Sequence, residues 1–114
     1  DSDFTFIHDD GIKKIKSDIF DAGINNMSFQ EMRFDEIEKY FILLRRVLNR
    51  ENMFYCLNAV EKPMIYDDGT TNFIRFSEYP WNRNDIDFEY NLSPVEIGRT
   101  YKPFFWKASR ISKI

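Results

Sequence analysis

The sequence predicts an α+β domain in which a short N-terminal strand and two helices pack on a mainly antiparallel sheet of about four strands. Three observations predict it. A capping box and an apolar stripe at helical spacing run from Ser28 to Leu48, the helical period gives way at Met53 to short runs rich in Phe, Tyr, Ile and Thr, and residues 86–92 alternate between apolar and polar side chains. Helices first and strands afterwards is the order expected when the two segregate within one fold. The 114 residues fit one globular domain, 1–114, that ends in a basic, aromatic segment at 99–114.

Phe4, Phe6 and His8 alternate with Thr5 and Ile7, which predicts the first short strand. Asp9 or Asp10 then caps a first helix over about 11–22, with Ile12, Ile15 and Ile19 on one face and Gly23 as its left-handed C-terminal cap. At the second helix, Ser28 can bond the Glu31 amide while the Glu31 side chain returns to Ser28, and Met27 can reach Met32 across them. Phe34, Ile37, Phe41, Leu44 and Leu48 follow as one stripe, and Tyr40 and Val47 beside it make the helix central. Arg45, Arg46 and Arg50 suit its last turns, so the helix is expected to end near Glu51.

Residues 53–60 read as a strand, and Pro63 interrupts before 64–67. Asp68-Gly69 between two apolar runs predicts a hairpin closed by a two-residue turn, where positive φ is needed. Residues 79–84 are a loop by composition. Next, Ile86, Phe88, Tyr90 and Leu92 alternate with Asp85, Asp87 and Glu89, which predicts a half-buried strand whose other face carries a row of carboxylates about 7 Å apart. Ser93, Pro94 and Glu96 repeat the capping pattern before a short helical turn stopped by Gly98. Residues 99–114 suit a strand and a helix equally.

Composition removes several classes. With 43% hydrophobic residues and only four Gly and four Pro, the chain is neither disordered nor collagen-like. Cys56 is the single cysteine, so there is no internal disulfide framework and no cysteine-rich zinc site, and a cytoplasmic location is expected. The longest uncharged apolar run, 40–44, is far too short for a membrane span. Glycines fall only at 11, 23, 69 and 98, so no phosphate-cradling loop can be built. His8 is the only histidine and no nucleophile motif accompanies it, which argues against a Ser-His-Asp hydrolase. His8 with Asp9 and Asp10 reads better as a strand end and cap than as a metal site, and Cys56 better as a small buried hydrophobe than as a nucleophile. Thirteen Ile and nine Asn against three Ala hint at an AT-rich source such as a phage or mobile element.

Net charge is −3, but it is unevenly placed: residues 99–114 carry five basic groups and no acid, while residues 1–98 carry 11 basic and 19 acidic groups. The basic tail either lies across the acidic body or meets a partner. Three features remain as function carriers: the row Asp85, Asp87 and Glu89; the loop with Tyr79, Trp81 and Arg83, residue types enriched at binding hot spots; and Asp67, Asp68 and Glu78 beside the hairpin. The expected function is therefore an acidic binding protein, of inhibitor or immunity type, that blocks a basic nucleic-acid-handling protein such as a toxin or nuclease. Asp85, Asp87, Glu89, Tyr79, Trp81 and Arg83 are the expected partner-binding residues, with no catalytic residue, metal or cofactor assigned. Direct nucleic-acid binding is disfavoured, because few basic residues interleave with aromatics. One alternative is a metal-dependent nuclease using Asp67, Asp85, Asp87 and Glu89 with the tail on phosphates. The other is an assembly subunit docking through the aromatic tail at Trp106.

Overall fold

The computed structural model describes residues 4–97 and 100–114. In chain order it contains a 3₁₀ turn at Asp9–Lys14, β1 (Phe20–Asn26), a 3₁₀ turn at Phe29–Glu31, α1 (Phe34–Val47), β2 (Leu48–Ala59), β3 (Glu61–Ile65), β4 (Thr71–Arg75), a 3₁₀ turn at Phe76–Glu78, β5 (Ile86–Ile97) and β6 (Thr100–Arg110). The main sheet has the order β1-β2-β6-β5, parallel between β1 and β2 and antiparallel elsewhere, while β3 and β4 form a separate two-stranded sheet. The architecture is thus mixed α and β around a mainly antiparallel four-stranded sheet, as expected, with several elements displaced from their expected positions.

The N-terminal strand is β1, not residues 4–8, where Phe4 and Phe6 are exposed. The helix expected over 11–22 shrinks to the turn Asp9–Lys14. Arg46 donates to the Ile12 and Ile15 carbonyls, and Asp18 takes a left-handed φ of 60° that no continuing helix allows. Gly23 is not a cap. It sits in mid-strand beneath α1, where a Cβ would meet the Leu44 side chain at 3.2 Å and Phe54 at 3.3 Å.

The capping box at Ser28 does not start the helix, because tertiary bonds claim the segment. The Asn25 carboxamide accepts from the Phe29 amide and donates to Ser28 Oγ; Gln30 N donates to Asn58, and the Gln30 carboxamide accepts from Ala59 N. The chain extends at Met32, and α1 begins at Phe34. It ends at Val47 rather than near Glu51, since Leu48 is already extended and opens β2. Ile37 and Phe41 of the stripe are buried on α1, and Leu48 is buried at the head of β2.

The hairpin forms in the expected place, but the turn spans 66–70 instead of two residues. Ile65 pairs with Thr71, Tyr66 N bonds the Thr70 carbonyl, and only Gly69 takes positive φ, at 83°. β5 runs on through Ser93–Glu96 in register with β6, so the second capping pattern is strand and not helix; Gly98 lies outside the described residues. Pro94 stands opposite Pro103, a pair in which neither backbone can donate a ladder bond. On the α1 side of the sheet, Phe29, Phe41, Phe54, Phe76 and Tyr79 fill the core around Ile37, Leu48 and Ile111. Their rings meet in tilted or edge contacts, with Phe41 to Trp81 at 5.0 Å between centroids.

Candidate functional site

The expected carboxylate row is broken by the backbone that carries it. Pairing between β5 and β6 shifts between Asp87 and Glu89, so Asp87 faces Ser109, Glu89 faces Ala108, and Phe88 is the extra residue of a bulge. Ser109 and Ala108 are neighbours on β6 and point to opposite sides of the sheet. Asp87 therefore turns toward the α1 side and Glu89 toward the other, where the Asn91 amide donates to it at 2.9 Å.

Asp85 lies just ahead of β5 and is turned inward, its side chain 3% exposed. Arg45 of α1 holds it with two bonds, 2.7 and 3.0 Å, and also donates to the carbonyls of Pro80 and Ser112. The amides of Ser112 and Asn82 donate to the same carboxylate. Burial alone would push the Asp85 carboxyl up, but these donors outweigh it and hold it below the ordinary range. Asp85 is thus a clamp that ties loop 79–85 and the chain end to α1.

Asp87 is half-exposed. It accepts from Ser109 Oγ at 2.8 Å and lies 3.3 Å from Lys107 Nζ. Lys107 itself is buried, with its ammonium 3.9 Å from the centroid of Trp81 and 4.7 Å from that of Tyr90. Trp81 gives its indole N–H to the Phe76 carbonyl and packs on Phe41. Tyr79 is 4% exposed in the core, and burial raises its phenol above the usual value. Of the six expected partner contacts, the fold draws Asp85, Tyr79 and Trp81 inward, engages Asp87 with Lys107, and leaves Glu89 and Arg83 at the surface.

Cys56 is fully buried on β2 opposite Lys107, and desolvation pushes its thiol up to about 12. His8 rests 3.2 Å from Asp10 in the exposed N-terminal segment. Among the described residues no three His, Cys, Asp or Glu side chains converge as ligands would. The four carboxylates of the nuclease alternative are therefore not brought together: Asp67 lies at the hairpin tip, Asp85 against Arg45, Asp87 against Lys107 and Glu89 across the sheet. No described helix is long and apolar enough to cross a membrane.

One acidic feature does project. The β3–β4 finger ends in residues 66–70, all exposed, with Ile65 74% exposed beside them. Its backbone is closed by Tyr66 N to the Thr70 carbonyl and Gly69 N to the Tyr66 carbonyl, both 2.9 Å. Asp68 accepts from the hydroxyl and the amide of Thr70, and those bonds lower its pKa, so it stays ionised beside Asp67. At the finger's base, Arg75 bridges Glu61 and Glu78. The sequence placed these carboxylates at the hairpin; it did not show that the hairpin stands as its own sheet.

The chain matches no family model, no curated protein and no solved structure.

Proposed function

We propose that the protein acts by binding, as an inhibitor- or immunity-type domain that covers the basic, nucleic-acid-handling surface of another protein such as a toxin or nuclease, with the β3–β4 finger as its leading contact. One observation carries this: two adjacent carboxylates, Asp67 and Asp68, stand with Ile65 and Tyr66 on a turn held closed by its own backbone bonds. A preordered acidic tip can occupy a cleft built for phosphates without ordering costs on arrival, and its charge steers the encounter. Tyr66 and Ile65 supply the apolar seat that charge alone lacks. Glu89 and Arg83, both exposed, are further contacts on the same molecule, and a cytoplasmic setting belongs to the same proposal.

The test is affinity capture from the cells that make the protein, with wild type and an Asp67→Asn/Asp68→Asn variant run side by side. A basic, nucleic-acid-handling protein retained by wild type, released by salt and lost on the variant supports the proposal. Equal retention by both chains removes the finger from it, and a retained partner without a basic surface removes the proposal itself.

A further inference from the structure

A cleft of about 220 Å³ opens where β6 ends, with Arg50, Asn84, Arg110 and Lys113 around an apolar floor of Ile86 and Ile111. No residue of the β3–β4 finger lines it, so a ligand in this cleft is independent of any partner that the finger meets. Its position comes from two backbone irregularities. The β1–β2 pairing jumps from Phe20 with Leu48 to Ala22 with Met53, which sets residues 49–52, Arg50 among them, against the single residue Asp21. The bulge at Phe88 leaves that ring beside Arg110, whose guanidinium carbon lies 5.5 Å from its centroid.

Charge in the cleft is one-sided. Among the described residues, no acidic side chain lines it, the Ile114 carboxyl that also borders it already accepts from Asn82 and Ser112, and Arg50 and Arg110 have no carboxylate side chain within ion-pair distance. Lys113 is engaged, by Asp18 and by the carbonyls of Arg46 and Leu48. Glu51 and Asp21 border Arg50 along a neighbouring groove, where Asp21 already accepts from Asn49. Asp85 and Asp87 are held by Arg45 and Lys107. Arg110 also carries the one buried side-chain donor without an acceptor among the described residues, its Nε. Nearly every buried donor in a folded protein is paired, so an orphan on a cation that lines a cleft without acidic side chains points to an acceptor that is not part of the chain.

We propose that this cleft binds a single oxyanion, a phosphate or carboxylate group, between the Arg50 and Arg110 guanidiniums, with the Asn84 side-chain amide as a further donor. Phe88 packs beside Arg110 without an ion pair to hold it, so a turn of the guanidinium toward the cleft brings the buried Nε and a terminal nitrogen out as a fork for two oxygens. Ile86 and Ile111 form the apolar floor beneath that fork.

Titration of the isotope-labelled full chain with sodium phosphate, followed by amide and arginine side-chain NMR, tests the proposal against sodium chloride at matched ionic strength and against sodium acetate. The expected result is saturable shifts confined to residues 50, 84–86 and 110–113 that chloride does not produce. Tighter phosphate than acetate assigns a phosphate group, and the reverse order a carboxylate. Arg50 is exposed, so Arg50→Ala folds normally and weakens binding about tenfold, the loss of one charge-assisted contact. Arg110→Lys keeps the charge but loses the fork, and is weaker than wild type. Shifts of equal size with chloride, or an unchanged phosphate constant in Arg50→Ala, would overturn the proposal.

Discussion

At the scale of single residues, the internal ion pair is the most consequential feature. Removing one partner of a buried, multiply bonded pair leaves the other charge uncompensated, so Asp85→Asn should cost about 3–5 kcal/mol near neutral pH, read by urea unfolding. The Asp85 carboxyl is held below its ordinary value, so its stabilising effect is present above the unfolded value, roughly pH 4, and fades as pH falls through the lower folded value. Wild type and Asp85→Asn should therefore converge on acidification, and a gap as wide at pH 3 as at pH 7 would show that the pair does not form. Cys56 gives a second check. With its thiol raised to about 12 and no exposure, it should resist a thiol reagent in the native protein and react promptly once unfolded. Little of this was legible in the chain. Asp85, Asp87 and Glu89 alternate as an exposed face would, yet the sequence does not encode where β5 takes its extra residue or that Arg45 sits across from Asp85. Tyr79 and Trp81 have the composition of a binding loop, and they fill the core because the neighbouring Phe76 anchors them there.

At the scale of elements, legibility in the sequence follows the range of the forces involved. The helical stripe from Phe34 to Leu44, the strand through residues 53–59 and the hairpin around Gly69 are set by local periodicity and turn chemistry, and all three form close to where the pattern places them. The segment 11–31 departs from its pattern because its two cap-like signals, Gly23 and Ser28, serve distant partners: Gly23 admits α1, and the stretch around Ser28 is tied to Asn58 and Ala59. Gly23→Val probes the first of these ties. It puts a branched side chain into the seam with Leu44 and Phe54, and overpacking of this kind should cost roughly 2 kcal/mol, seen as a lower denaturant midpoint. A Gly23 that only ended a helix in the left-handed conformation would accept Asn with little loss, whereas in this seam Gly23→Asn should lower the midpoint as Val does.

For the molecule as a whole, the uneven charge was visible from the start, and its use was not. Two of the basic groups of the C-terminal segment are engaged within the fold: Lys107 lies on Trp81 and Asp87 and Lys113 meets Asp18, while the backbone of Ile111 exchanges two bonds with the buried carboxamide of Asn52. Residues 107–114 are therefore a structural tie between α1, β2 and loop 79–85, with Lys107 and Lys113 lying on the body. A truncation after Arg110 separates the two uses. If the tail were only a charged extension, losing residues 111–114 would alter binding and salt dependence but not folding. As a tie, the deletion removes the fully buried Ile111, leaves Asn52 with only the Asn49 carbonyl and strips Arg45 of the Ser112 carbonyl, a combined loss of about 4 kcal/mol or more. For a chain of this length that corresponds to a drop in Tm of roughly 15–30 °C. Asp67→Asn/Asp68→Asn, by contrast, touches only the exposed finger tip and should leave Tm within a few degrees of wild type, since surface changes seldom exceed about 0.5 kcal/mol. Thermal scans of the two variants thus pull apart the charges that hold the fold from those left to meet a partner: the basic end should unfold the protein when lost, and the acidic tip should not.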